Sequence, residues 1–367
     1  FDRIKASDMI DVYNFEDRKL VEIVKATYFN PKIVVIDETT TALSQEGREE
    51  LYKHMDRIRE SGNTVIFISH DLPEVIERSD TITILRDGVY IDTVKSADVD
   101  EDALKKLMVG REVTGDYYRS DYGETISDEV VLSVKNVTVP GLIEDVTFDL
   151  HKGEILGFGG LSESGMHEIG KAIFGASYDR EGSVTLADGT QINDIPTAIK
   201  HSIAYTSKDR DNESVVLNQS IGDNICLPSL DELAGKGPFL SDKKRRDFAN
   251  EYAKQMSVKM VNVDQFVSNL SGGNKQKVVL ARWIGKDSDI VVLDSPTRGI
   301  DIKVKQDIYQ LMNEMRKNGK SIIMISEELM ELIGMCDRIV IMKDGKISGE
   351  LGRDEHLDEN GLISMMV

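Results

Sequence analysis

The chain of 367 residues holds only two cysteines, Cys226 and Cys336. Two so far apart give neither a disulfide framework nor a metal-ligand spacing, and this fits a reducing cytoplasm. Basic charge is also short. Lys and Arg number 45 against 65 Asp and Glu, a formal net charge of −20. That balance opposes nucleic-acid binding, which draws on basic surface, and it favours solubility. No apolar run approaches the roughly 20 residues that a membrane span needs. No signal-peptide pattern opens the chain and no long coiled-coil repeat runs through it. Residue 1 is Phe rather than Met, so the chain is expected to be a piece of a longer one.

What the chain does contain is a copy of itself. Asp37 falls on Asp294, an offset of 257 (294 − 37). The same shift carries Tyr52 onto Tyr309, Gly62 onto Gly319, Ser69 onto Ser326, Asp80 onto Asp337 and Gly88 onto Gly345. It runs without a gap from about Ile33 to Gly88, and Leu107-Met108-Val109 matches Met365-Met366-Val367 with one residue added. A fixed period of this kind marks a fused pair of domains. The shift sends residue 1 onto Val258, inside the second copy. The first copy is therefore expected to lack about its first half, roughly 130 residues, an order in keeping with domain size. The predicted layout is a partial domain over 1–110, a polar linker over 111–128 with Gly115, Gly123 and Tyr117-Tyr118, and a complete domain over 129–367.

Short apolar runs at Val34-Val35-Ile36 and Val65-Ile66-Phe67-Ile68 flank a helical pattern, Gln45 to Glu60, with Leu51, Met55 and Ile58 on one face. That is a β-α-β unit of a buried parallel sheet. Thr81 to Leu85 leads to a turn signal at Asp87-Gly88. The second copy repeats the pattern at Val291 to Leu293, Ser321 to Ile325 and Arg338 to Met342. Val130 to Val139 and Asp145 to Leu150 predict antiparallel strands, and 208–265 predicts a charged helical insert broken at Gly235-Lys236-Gly237-Pro238.

The strongest motif is Leu270-Ser271-Gly272-Gly273-Asn274-Lys275-Gln276-Lys277, ahead of a helical stretch and a strand ending at Asp294. A serine and two glycines at a helix start offer a hydroxyl and open backbone N–H groups to a phosphate. The plainer reading is an ordinary N-cap at Ser271. With these residues, Asp294 to Asp301 and Ser207-Lys208-Asp209-Arg210, the chain resembles the ATP-binding-cassette (ABC) transporter ATPases. Within them it is similar to the fused double-cassette ATPases of monosaccharide importers of ribose, galactose, arabinose or xylose type. The fold this implies is the α/β P-loop NTPase fold: a mixed, mostly parallel core sheet, a helical insert and an antiparallel β subdomain, in one complete and one partial copy.

A carboxylate at the tip of a buried strand, as in Ile33-Val34-Val35-Ile36-Asp37-Glu38, can hold Mg²⁺ beside nucleotide phosphates, and the next carboxylate can orient or deprotonate a water. By resemblance, Asp37 is the metal-site residue, Glu38 the general base and His70 the switch histidine that contacts the γ-phosphate. Leu270, Ser271, Gly272, Gly273, Asn274 and Gln276 match the signature. At the shifted positions Glu38 becomes Ser295 and His70 becomes Glu327, while Asp294 remains as a weak Mg²⁺ ligand. The second phosphate loop keeps Gly160 and Gly165. Met166 replaces the lysine, His167 the metal-binding hydroxyl and Glu163 a residue that is usually glycine. Lys208 departs from the Gln or Glu of the corresponding family loop. In the first copy the signature is degraded to Asn14 and Glu16.

In ABC ATPases each nucleotide joins one copy's Walker motifs to the other's signature. The defects therefore sort by site: Asp37, Glu38 and His70 with Ser271, Gly272 and Gly273 are intact, and the other set is worn. The resemblance implies ATP and Mg²⁺ as cofactors and a peripheral subunit on the cytoplasmic face of the membrane. It implies transmembrane permease subunits of a sugar importer as partners, a solute-binding protein indirectly, and no nucleic acid. This piece is expected to hydrolyse ATP weakly or not at all, and its half domain could associate with another copy of the chain. Two alternatives stand beside this reading. One is a catalytically inactive double-cassette scaffold or regulator. The other is a chromosome or DNA-repair ATPase of the same fold, which the acidic balance opposes.

Overall fold

The computed structural model describes residues 4–13, 15–37, 39–40, 43–69, 71–86, 89–109, 117–119, 126–161, 163–234, 239–300, 302–352 and 359–366. The chain divides into two compact units, residues 1–115 with 301–303 and residues 116–300 with 304–367.

The first unit contains α1 (Phe15–Thr27), β1 (Ile33–Asp37), α2 (Gln45–Glu60), β2 (Thr64–Ile68), α3 (Leu72–Arg78), β3 (Thr81–Arg86), β4 (Val89–Lys95) and α4 (Glu101–Val109). β1 and β2 pair in parallel, from Ile33 opposite Thr64 to Asp37 opposite Ile68. Ser44 caps α2 by accepting a hydrogen bond from the Gly47 N–H. The predicted apolar face of this helix then buries Leu51 and Met55 with Val34 and Ile36. β3 and β4 form a separate antiparallel hairpin. Its predicted turn at Asp87-Gly88 lies outside the described residues.

The second unit opens with β5 (Val130–Val139), β6 (Ile143–His151), β7 (Ile155–Gly160), α5 (Met166–Ile173), β8 (Glu181–Leu186), α6 (Ile195–Lys200) and β9 (Ile203–Thr206). The insert follows as α7 (Ile221–Cys226), α8 (Leu230–Ala234) and α9 (Asp242–Gln255), with the predicted break at 235–238 outside the described residues. Then come α10 (Gly272–Lys286), β10 (Ile290–Asp294), α11 (Ile302–Lys317), β11 (Ser321–Ile325), α12 (Leu329–Met335), β12 (Arg338–Lys343), β13 (Lys346–Gly352) and α13 (Glu359–Met366). The core sheet has the order β13-β12-β7-β11-β10-β9, parallel except for β13. A three-stranded antiparallel sheet, β6-β5-β8, completes the mixed architecture.

α1, β1, α2, β2, α3, β3 and β4 each begin 257 residues before a counterpart, namely α10, β10, α11, β11, α12, β12 and β13. Their surroundings differ. In the second unit Ile290, Val292, Ile323 and Ile325 are buried. α5 lies so close over this face that a Cβ on Gly170 would stand 3.1 Å from Ile325 Cδ1 and 2.8 Å from the Tyr205 ring. The matching Ile33, Val35, Ile66 and Ile68 of the first unit are 45–58% exposed.

The predicted linker needs one correction, at Tyr117-Tyr118-Arg119. The two tyrosine rings lie 5.5 and 5.3 Å from the Tyr309 ring, and Tyr118 fills the space over Gly334. Arg119 is buried, donating to Asp337 Oδ1 at 2.8 Å and to the Met335 carbonyl at 3.0 Å. Ring burial and a paired charge make this stretch part of the second unit's core edge.

Candidate functional site

In open α/β sheets ligands bind beyond the carboxyl ends of the strands. In the second unit the loops after β7, β9, β10 and β11 meet there. The loop after β7 turns sharply at Gly165 (φ +89°), where a Cβ would stand 2.6 Å from Ile143 Cγ2 and 2.7 Å from the Leu142 carbonyl oxygen. Gly160 ends β7, Glu163 is exposed in the turn, and α5 begins without a side-chain cap. Met166 points the other way. It is fully buried in the apolar core, so the position that resembles a phosphate-binding lysine is a packing residue here.

His167, 8% exposed, faces the crevice. Its Nδ1 lies 2.7 Å from Asp294 Oδ1, and its Nε2 lies 3.1 Å from Lys208 Nζ and 3.4 Å from Glu327 Oε1. Lys208 Nζ donates to Glu327 Oε1 at 2.6 Å, and Ser295 Oγ donates to Asp294 Oδ1 at 3.2 Å. Burial opposes the charged imidazole, but hydrogen bonds to Asp294 and Glu327 and the charge of Asp294 outweigh it, so its pKa is raised despite the nearby Lys208 ammonium. In either protonation state Nδ1–H can donate to Asp294. A neutral ring then accepts from Lys208 at Nε2, and a charged one donates towards Glu327. With His167 protonated, two positive groups face two carboxylates and the crevice is charge-balanced.

This arrangement does not fit a metal–phosphate pair. Asp294, expected as a weak Mg²⁺ ligand, gives Oδ1 to His167 and Ser295 instead. Its Oδ2 is buried without a hydrogen-bond partner. A divalent ion reaching it would stand among the Lys208 ammonium and the His167 ring, and like charges repel. Glu327 likewise brings negative charge where a terminal phosphate would sit. In the first unit Asp37 ends β1 as an exposed residue. Asn14, Glu38 and His70 lie outside the described residues, as does the side chain of Glu16.

The signature residues open α10. Ser271 holds the N-cap position (φ −64°, ψ 159°), but its Oγ accepts from Asn274 Nδ2 at 3.0 Å rather than from a backbone N–H. The ordinary side-chain cap is therefore not made, and Ser271 is exposed with Gly272 and Gly273 partly so. Leu270 and Gln276 are buried and fix the turn to the core, while Asn274 Oδ1 accepts from the Lys259 N–H at 2.8 Å. The 207–214 loop packs alongside: Asp211 Oδ2 meets Lys275 Nζ at 2.8 Å, and the Arg210 guanidinium stands beside Gly272.

Sequence reading missed a buried carboxylate hub behind the crevice. Glu331, 1% exposed, accepts from Thr297 (2.6 Å), Tyr309 (2.5 Å), Ser326 (2.8 Å) and Lys305 (3.3 Å). Glu74 repeats it with Thr40, Tyr52 and Ser69. The signal was present, because all these residues but Lys305 are identical across the 257-residue shift. The hub survives in both repeats although Glu38 and His70 have Ser295 and Glu327 at the shifted positions.

The family profile for ABC transporters matches residues 143–298. The ribose import ATP-binding protein RbsA of Clostridium perfringens is 38% identical over 358 residues, covering 97% of this chain and 71% of that protein. The chain belongs to the ABC transporter ATPase family. The xylose import ATP-binding protein XylG of Thermoanaerobacter pseudethanolicus is 42% identical over 347 residues, 92% of this chain and 68% of its own length. Among solved structures, the dimeric ABC transporter cassette MJ0796 aligns with a TM-score of 0.53 at 22% identity, over 60% of this chain and 98% of its own. A nucleotide-free ABC transporter cassette aligns at 0.53 and 17% identity, over 65% and 99%. At these identities the structural likeness concerns the fold, which is the P-loop NTPase fold. At the level of the ABC family the protein is an ATP-hydrolysing enzyme.

Proposed function

We propose that the chain is the ATP-binding and ATP-hydrolysing subunit of a bacterial sugar importer, with one competent nucleotide site and one degenerate one. The Lys208–Glu327–His167–Asp294 network carries the asymmetry. The second repeat's counterparts of Asp37 and His70 are engaged in protein charge pairs, and the counterpart of Glu38 is a serine. The ribose and xylose import named for the relatives supports the transport reading.

In this reading Asp37 holds Mg²⁺, Glu38 orients and deprotonates a water, and His70 contacts the γ-phosphate. Leu270, Ser271, Gly272, Gly273, Asn274 and Gln276 form the intact signature. Bound Mg²⁺ would neutralise charge on the terminal phosphates. Permease subunits contact the 207–210 loop and the helical insert, and a solute-binding protein acts through them. Among the described residues no helix is long and apolar enough to cross a membrane. The import role named for the relatives supports a peripheral subunit at the cytoplasmic face.

The test is ATP turnover in the importer reconstituted with its permease from a form of the chain in which both repeats are complete. Glu38→Gln should lower turnover by about 10²–10⁴-fold, the usual worth of a general base, whereas Ser295→Ala should change it little. A Glu38→Gln importer turning over at the wild-type rate would sink the assignment. If the wild-type importer also shows no turnover, the scaffold reading takes its place.

A further inference from the structure

The 207–214 loop is held at both ends by charge. Lys208 Nζ reaches Glu327 Oε1 at 2.6 Å and His167 Nε2 at 3.1 Å, joining the loops after β9 and β11 across the tip of β10. Those strands lie two places apart in the sheet, roughly 10 Å, a gap suited to the long stem of a lysine. Further along, Glu213 pairs with Lys171 on α5 at 2.8 Å. Asp211 pairs with Lys275 at 2.8 Å and Arg282 donates to the Ser214 carbonyl at 2.6 Å, both from α10. Arg282 is buried and also grips Asn224, so that end of the loop is rigid.

A metal–phosphate pair in such a crevice brings one positive and one negative group, and the loops bind to both. Here Lys208 brings the positive group and Glu327 the negative one, at side-chain exposures of 23% and 36%. The pair is therefore less screened than a fully exposed one. We propose that the Lys208–Glu327 pair is a built-in strut standing in for a metal–phosphate pair, and that through the 207–214 loop it positions the signature turn Ser271–Gly273 without nucleotide. Lys208 acts through the loop, as a positioning residue. The signature of the intact set is then braced by the worn crevice of its own unit.

Hydrogen exchange on the 367-residue chain tests this, read at 207–214, 325–329 and 271–276. Lys208→Gln and Glu327→Gln should each speed exchange in all three segments by about fivefold, the scale of a partly screened pair. The double variant should add nothing further. Mg²⁺-ATP should give the wild-type chain no added protection at 325–329. Faster exchange confined to the substituted loop, additive effects in the double variant, or protection of 325–329 by Mg²⁺-ATP would each overturn the strut. Should Lys208→Gln also loosen β7 and β10, Glu327→Gln, which keeps the side-chain shape, decides. The measurement reads neither transport nor ATP turnover, so the strut and the transport reading fail separately.

Discussion

Replacing Arg119 with Met should destabilise the second unit sharply, although the residue lies in a polar stretch of sequence. The guanidinium is buried, with 1% side-chain exposure, and holds Asp337 at 2.8 Å and the Met335 carbonyl at 3.0 Å. Methionine keeps much of the length and none of the charge, so Asp337 becomes a buried carboxylate short of a partner. Breaking a buried pair from one side costs about 3–5 kcal/mol. Asp337 would keep the Ile155 N–H at 2.8 Å and Arg316 Nε at 3.6 Å, which places the loss near the lower end, about 3 kcal/mol. For a unit of this size that corresponds to a fall in Tm of roughly 6–12 °C. Thermal and urea unfolding followed by circular dichroism would measure it. Lys152→Ala is the control, because its pair with Glu129 is more than half exposed and should matter by less than about 0.5 kcal/mol. An Arg119→Met chain within 1 kcal/mol of wild type, or no worse than the control, would refute the claim that this stretch is part of the folded unit.

Gly334→Ala should loosen the same anchor, because a Cβ there would stand 2.2 Å from the Tyr118 ring; overpacking of this kind costs about 1–3 kcal/mol and would appear in the same unfolding curves. Met166→Lys restores the residue type of a phosphate loop but buries an ammonium in the apolar core, so it should lower stability by roughly 2–4 kcal/mol. Calorimetric titration should show it gaining no Mg²⁺-ATP affinity at the second crevice, and a stable variant with tight new binding would contradict the account given above. The exposed Ile33, Val35, Ile66 and Ile68 should make the chain self-associate, so light scattering over a concentration series should show mass rising, and Val35→Lys with Ile66→Lys should hold it at the monomer. A monomer at all concentrations for the wild-type chain would exclude that association.

Local patterns carried most of the fold. The apolar runs and the 257-residue shift located β1, α2, β2 and β3 and the matching strands β10, β11 and β12, because apolar period is a property of short stretches, and Val34 reads the same wherever it lies. Burial was not legible in this way. Val35 and Val292 occupy matching positions in matching strands, yet one is exposed and the other covered by α5. The coverage depends on elements far away in sequence. The same limit hid the role of Tyr117 to Arg119, whose polar neighbours suggested a linker while their partners stand more than 190 residues away at Tyr309, Met335 and Asp337.

The sequence by itself determined the family, the repeat and the sorting of intact from worn residues, since each of these rests on residue identity at a spacing. It marked Met166, His167, Lys208, Ser295 and Glu327 as departures but left them as separate losses. Only the tertiary structure decided what the losses amount to. Met166 became core. His167 from the first turn of α5, Asp294 from the end of β10, and Lys208 and Glu327 from the loops after β9 and β11 became one hydrogen-bonded set. The physical reason is that a charge is satisfied by whatever stands within about 3 Å of it, and that neighbourhood is made by folding.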